Sequence, residues 1–271
     1  MGMIKSSEEL DYIRKGGKIL GEVLETIANM AAPGVSTLDI DKKAEELILA
    51  AGGRPAFKGY RSSKQDPKFP CTICASVNEE NVHGIASHDK ILQDGDIFSI
   101  DIGMQWPVGC GKGNKGNGFF TDTALTVPVG NIPEKTKQLL IATRKSLFVG
   151  IEAATLGNSV RDIGKSIEKY IKPQGYGIIR ALTGHGVGHA VHEEPSVPNF
   201  DEPALGRIKL EEGMVLALEP MITLGGDEVD VKEDGWTIVT EDGSLNAHFE
   251  HTIILTVDGP EVVTKRPSEK I

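Results

Sequence analysis

Hydrophobic positions in the first fifty residues repeat at helical spacing. Leu10, Ile13, Leu20, Leu24 and Ile27 fall on one face. Ser6 with Glu9 three residues on offers a capping box at its start, and Pro33-Gly34 stops it. A second helix is predicted from about Thr37, with Ile40, Ala44, Leu47, Ile48 and Ala51 on one face, until Gly52-Gly53. The period then changes, and residues 71–77, 97–102 and 120–127 read as strands. The same order returns in the second half. A helix from near Pro133 carries Leu140, Leu147, Ile151 and Ala154, and another from about Ser159 carries Val160, Ile163, Ile167 and Ile171. Strands follow at 214–219, 236–239 and 251–257. Two helices and then strands, twice over, predict an internally duplicated α+β fold. No Ser/Gly/Pro-rich linker separates the halves, roughly 1–130 and 131–271, so a single domain over 1–271 is expected.

Two stretches break the periodicity. Residues 61–68 are polar and turn-rich. Residues 107–118 are too glycine-rich for a packed element, and they lack the Gly-Lys-Ser/Thr order and following helix of a phosphate loop.

The formal net charge of -10 argues against a broad surface for DNA or an anionic membrane, though not against a cation site. No apolar run approaches bilayer length, and no signal-peptide pattern opens the chain. The three cysteines (Cys71, Cys74, Cys110) are an odd set without disulfide-framework spacing, which points to a reducing cytoplasm. The opening Met1-Gly2-Met3-Ile4-Lys5-Ser6 fits the myristoylation pattern, but the pattern is short and is read as chance.

Strand interiors favour β-branched and aromatic residues, yet Asp101 sits within Ile97-Phe98-Ser99-Ile100-Asp101-Ile102. Alternation turns it away from Phe98, Ile100 and Ile102. Asp122 repeats the oddity, Glu219 ends the apolar run from Val215, and Glu250 lies just before Thr252-Ile253-Ile254-Leu255. Any one of these is most simply a strand-end residue reaching solvent. Four together are costly unless cations neutralise them or they take up protons, and no Arg or Lys recurs beside them. The stretch from Gly184 to Pro195 adds His185, His189 and His192 among glycines. Alone it reads as a surface loop. With the four acids, one imidazole makes an oxygen-rich site whose charge balances two divalent ions and leaves a water-derived nucleophile. Cys71-x-x-Cys74 has no second pair to complete a zinc site.

As a set, Asn78-Glu79-Glu80-Asn81-Val82-His83-Gly84, Ser99-Ile100-Asp101, Phe120-Thr121-Asp122-Thr123-Ala124, the Gly-His-Gly-Val-Gly segment through Pro195, Leu218-Glu219-Pro220, Asp234-Gly235-Trp236-Thr237, Asp242-Gly243-Ser244-Leu245 and Phe249-Glu250-His251-Thr252 resemble the type I methionine aminopeptidases. The match runs in order from about residue 5 to 260. The resemblance implies a pita-bread fold with helix-pair-plus-strand halves around a central antiparallel sheet. It implies removal of the initiator methionine from nascent chains, preferably before a small second residue, by a cytoplasmic monomer. Asp101, Asp122, His185, Glu219 and Glu250 fall on the family's metal ligands, Asp122 and Glu250 as the bridging pair. The two ions are cobalt, manganese, iron or zinc, a choice the ligand set leaves open. His83 and His192 fall on the histidines at the scissile amide. Glu219 is a candidate proton carrier, His192 a donor to the oxyanion, and His83 a partner of the amide beyond the methionine. The methionine pocket is expected at Tyr60, Phe69, Cys74 and Trp236.

Three departures from the family pattern stand out: the insert at 107–118, Val82 in place of a common cysteine, and Val191 in place of a common aromatic, which is expected to enlarge the methionine pocket. Lys112 and Lys115 give the insert two positive charges, a weak motive for transient ribosome contact. His88 reads as a surface turn, His189 and His248 carry no assignment, and His251 should face away from Glu250. The rivals are a proline-specific peptidase of the same fold, which usually carries an extra N-terminal domain, and a binding protein that has lost the chemistry, which should have lost ligands.

Overall fold

The capping box at Ser6 forms: the Glu9 amide donates to Ser6 Oγ at 3.4 Å and the Ser6 amide to the Glu9 carboxylate at 2.7 Å. It opens helix α1, Ser7–Ala28. Helix α2, Thr37–Ala50, starts on Ser36, whose hydroxyl accepts from the Asp39 amide. Helices α3 (Glu134–Ala153) and α4 (Val160–Ile171) occupy the second half, α4 behind a Ser159–Asp162 capping box. The computed structural model describes every residue except Met1, Ser62, Asp66 and Ile271, so the Met1 end of the myristoylation pattern and two positions of the 61–68 loop lie outside it. Among the described residues, no helix is long and apolar enough to cross a membrane.

Each helix pair covers its own sheet. In the first half, Ile97–Trp106 pairs antiparallel with Ile73–Val77 on one side and Asn117–Pro128 on the other. In the second, the strand order is Gly259–Val262, His251–Thr256, Val215–Leu218, Gly184–Gly186, Glu193–Val197. Two hydrophobic cores lie beneath the helix pairs, the first also taking in Val187, Val191, Val215, Ala217, Ile254 and Val263 of the second half. Leu20, Leu24, Ile27, Ile40 and Ile48 pack on Phe98, Ile100 and Ile102, while Leu147, Ile151, Ile163 and Ile167 pack on Leu216, Leu218 and Ile253. The halves are sewn together along a seam. Glu80–Val82 pairs with Ile238–Thr240, the Glu250 amide donates to the Ala124 carbonyl at 3.0 Å, and Thr123 Oγ1 donates to the Glu250 carbonyl at 2.8 Å.

Where the structure departs from the sequence reading, the cause is local. The hairpin strands run past Ile102 to Trp106 and back from Asn117, because Tyr12 of α1 packs against both Trp106 and Phe119. The glycine-rich insert is therefore shorter than expected. It contains a 3-10 turn at Asn114–Gly116, and Lys112–Gly113 pairs with Asn117 and Gly118. The strand expected at 236–239 is Ile238–Thr240, since Asp234 holds Trp236 and Thr237 in a turn by accepting both amides at 2.8 Å.

Two of the three glycines of helix α1, Gly16 and Gly21, have different surroundings. A Cβ at Gly21 would come within 2.6 Å of the Lys265 carbonyl and 2.8 Å of Thr264's, whereas one at Gly16 would meet Trp106 at an ordinary 3.5 Å. Gly16→Ala is accordingly expected to stabilise the protein by about 0.5–1 kcal/mol through helix propensity. Gly21→Ala should destabilise it by about 1–3 kcal/mol through overpacking. Urea unfolding of the two variants measures both signs, and a stabilising Gly21→Ala would refute the close approach.

Candidate active site

Strand register explains why scattered residues converge. Asp101 stands opposite Cys74 and Ala124, and Asp122 opposite Gly103, two residues along from Asp101. With a period of two, Cys74, Asp101 and Asp122 share one face of the first sheet, the face away from Phe98, Ile100 and Ile102. In the second sheet Ala217 pairs with both His185 and Thr252. Glu219 lies two residues beyond Ala217 and Glu250 two before Thr252, so His185, Glu219 and Glu250 also share a face. His251 turns away as expected, into contact with Thr264, Arg266 and Glu269.

The two faces meet in a cavity of about 230 Å³. Asp101, Asp122, His185, Glu219 and Glu250 line it, together with His83, His192, Tyr60, Phe69, Cys74 and Trp236. All eleven candidate residues of the sequence reading are thus brought to one place. Ligand atoms of Asp122, His185 and Glu250 lie within 4.8 Å of one another. His185 Nε2 is 3.4 Å from Asp122 and 3.6 Å from Glu219. His185 Nδ1 faces the Gly186 carbonyl at 2.9 Å. A carbonyl only accepts, so Nδ1 carries the proton and Nε2 presents its lone pair to the carboxylates. Thr252 Oγ1 lies 2.8 Å from the Asp122 carbonyl and 3.1 Å from its carboxylate, and so orients that side chain.

Among the described residues, no Arg or Lys lines this cavity. Burial pushes the Asp101 carboxyl up to about 7, with Glu219 and Asp122 adding to the push and His248 opposing it. Burial likewise raises Glu219 to about 8, and the charge on Asp122 adds to that. Glu250 is driven well above the usual carboxylate range by burial and then by its three acidic neighbours. The histidines move the other way: burial lowers His83 to about 4 and His192 to about 3, so both are neutral donors or acceptors near neutral pH. His83 is also held at φ 57°, a left-handed conformation unusual for a side-chain-bearing residue and common at functional sites. Asp101 Oδ1 is buried without any hydrogen-bond partner. An orphaned carboxylate oxygen beside a His–Asp–Glu triangle fits a divalent cation, which takes oxygen and imidazole ligands of this kind.

Sequence reasoning missed part of this site. His248 is buried with Nε2 3.3 Å from Glu219, though not aligned for a hydrogen bond, and its amide donates to Thr126 Oγ1. Its position two residues before Glu250, on the strand Asn246–His248, was the available signal. Phe57, Val82, Leu182, Thr183 and Met221 complete the lining. Val191 is not among the residues that line the cavity. It is 7% exposed and packs into the first core. His189 pairs with Glu9 at 2.8 Å, outside the cavity, and His88 is exposed.

The raised carboxyls fix a sign. Their protonated forms favour the folded state, so the stability they contribute is present below the ordinary carboxylate range and is lost as pH rises through about 7 and 8. The lowered histidines act only below about pH 6.5, where they titrate when unfolded. Metal-stripped protein is therefore expected to melt lower at about pH 8.5 than at about pH 6.5, and added divalent metal should raise Tm most at the higher pH. Calorimetry at both values decides it, and a flat or rising metal-free profile would count against the carboxylate cluster.

Comparison with known proteins agrees with this geometry. Residues 11–257 match metallopeptidase family M24. The chain is 42% identical over 264 residues to a methionine aminopeptidase of Clostridium acetobutylicum, covering 97% of this chain and 99% of that one. The crystal structure of methionine aminopeptidase from Thermotoga maritima superposes with a TM-score of 0.88 at 37% identity, covering 97% and 99%. The prolidase of Pyrococcus horikoshii reaches a TM-score of 0.74 at 25% identity, and the match covers 99% of this chain but 65% of the prolidase. The fold is the pita-bread fold these proteins share, and the chain belongs to metallopeptidase family M24, among its methionine aminopeptidases.

Proposed function

We propose that this chain removes the N-terminal methionine from proteins by metal-dependent hydrolysis of the first peptide bond. The observation that carries this reading is the juxtaposition of the Asp122–His185–Glu250 cluster with a cavity walled by Tyr60, Phe69, Cys74 and Trp236. Aromatic and sulfur-bearing walls suit a thioether side chain. Phe69 and Trp236 meet edge to face at 5.3 Å, a rigid corner on one side of the pocket.

Asp101, Asp122, His185, Glu219 and Glu250 would hold two divalent ions, and cobalt, manganese, iron and zinc all suit these donors. When bound, they supply Lewis acidity and a water acidic enough to attack a carbonyl near neutral pH. The protein's own groups do the rest. Glu219, at the edge of the cluster with His248 Nε2 3.3 Å away, is the group proposed to carry a proton to the departing amine. His192, neutral and beside His185, donates to the methionine carbonyl oxygen as negative charge develops there. His83, held edge to face on Trp236 at 6.2 Å, meets the amide beyond the methionine. A small second residue is expected to be preferred, because the site lies inside a cavity and not on an open face.

The chain is read as one cytoplasmic catalytic unit, since both halves furnish ligands, and as a monomer acting on nascent N-termini. The insert adds a cationic tip for transient ribosome contact through Lys115, Lys112 being engaged with Glu8 at 3.5 Å. Unchanged ribosome co-sedimentation after reversing both lysine charges would remove that contact.

The decisive assay is release of free methionine from Met-Gly-Met-Met against Pro-Gly-Met-Met, with and without Mn²⁺ or Co²⁺. Cleavage of the Met-Gly peptide alone, and only with metal, is expected. Glu219→Gln should lower kcat by about a hundredfold or more. Cleavage of neither peptide by metal-loaded protein would favour a binding protein that has kept the fold.

A further inference from the structure

His185 and His192 stand edge to face with ring centroids 4.5 Å apart, yet their outer nitrogens meet different partners. His185 Nδ1 faces a backbone carbonyl, whereas His192 Nδ1 lies 3.0 Å from the Tyr60 hydroxyl. We propose that Tyr60 is a positioning residue: its hydroxyl donates to His192 Nδ1 and so fixes the tautomer whose proton sits on Nε2, ready for the substrate carbonyl. The inference rests on the reading of His192 as that donor.

A phenol and an imidazole can share a hydrogen bond in two senses. The phenol is the stronger acid and the imidazole nitrogen the better base, so O–H donating to N is the stronger arrangement. The carbonyl opposite His185 forces the reverse assignment, with the proton on Nδ1 and Nε2 bare. Neighbouring imidazoles are thereby set into opposite tautomers by their outer partners. One presents a lone pair to a cation and the other presents an N–H to a developing oxyanion.

The Tyr60 hydroxyl is well placed for this task because its main chain is pinned. The Tyr60 amide donates to the Phe57 carbonyl, and its own carbonyl accepts from the Phe69 amide, both at 2.8 Å. The Gly59 amide closes the same neck onto the Phe69 carbonyl at 2.8 Å. The ring meets His192 edge to face at 5.4 Å while also walling the methionine cavity. Tyr60 thus has two separable parts, an apolar ring facing substrate and a hydroxyl facing His192.

Tyr60→Phe removes the hydroxyl and keeps the wall. Expected is a fall in kcat of about tenfold, the size typical of losing an outer hydrogen-bond partner, with KM changed by less than about twofold. Tyr60→Leu should raise KM as well. In a His192→Ala background, Tyr60→Phe should lower kcat no further, because its effect passes through that ring. Independently of activity, long-range ¹⁵N–¹H correlation spectra of metal-free and Zn²⁺-loaded protein should show His192 protonated on Nε2 in the wild type and mixed in Tyr60→Phe. An Nδ1-protonated His192 in the wild type, an unchanged tautomer in the variant, or additive kinetic losses would each overturn the proposal. If His192→Ala leaves kcat intact, the donor reading of His192 fails and the kinetic part falls with it. The spectra still report separately whether Tyr60 sets the tautomer.

Discussion

Four carboxylates facing one cavity without a lysine or arginine repel one another and lose much of their hydration, and the rest of the structure is arranged around that cost. Two of them, Asp122 and Glu250, are almost wholly buried, at 3% and 2% exposure. Left to themselves such groups take up protons, as the upward displacement of Asp101 and Glu219 shows. Divalent cations resolve the conflict without protonation, which is why the cluster reads as a metal site and not as a misplaced acidic patch. The same repulsion explains the support around it. Thr252 orients Asp122, Cys74 lies against Asp101, and His185 is held by the Gly186 carbonyl with its lone pair inward.

The placement of these groups also explains the duplicated architecture. Asp101 and Asp122 come from the first half, and His185, Glu219 and Glu250 from the second. Each half has a hydrophobic core beneath its helix pair, and the first core also takes in Val187, Val191, Val215, Ala217, Ile254 and Val263 from the second half. To that shared packing are added backbone and threonine hydrogen bonds along Asp122–Thr126 and His248–Thr252 and a strand pairing. A cation held by Asp122 of the first half and His185 and Glu250 of the second would span that seam.

Much of this was legible in the sequence, because the relevant signals are local. The four helices follow from apolar spacing, the first with its Ser6–Glu9 capping box as well. Asp101 is conspicuous because an acid in the middle of an apolar strand has no local rationale, and register then carries it to Asp122's face. The strand Gly184–Gly186 escaped notice because its pairing is set by the neighbouring sheet and not by its own composition. His248 was passed over for a related reason: a short strand bounded by turns shows no period, and only its partner Met221 fixes which way the side chain faces. Val191 misled in the opposite direction, since its place beside His192 in the chain suggests the pocket while its side chain belongs to the core.

Alternation along a strand separates what sequence adjacency suggests. Glu250 and His251 are consecutive, yet one faces the cation site and the other a buried arginine–glutamate pair, Arg266 and Glu269, that ties down the C-terminal segment. That pair holds the strand His251–Thr256 from behind, while the Thr123 hydroxyl and the Ala124 carbonyl hold Glu250 from the front. A ligand gripped on both sides of its backbone cannot swing toward solvent to relieve repulsion, so the carboxylates remain facing one another whether or not they are neutralised. The site is preorganised by main-chain and core contacts that owe nothing to the metal. The electrostatic strain this leaves in the metal-free protein is what binding of a divalent cation would relieve.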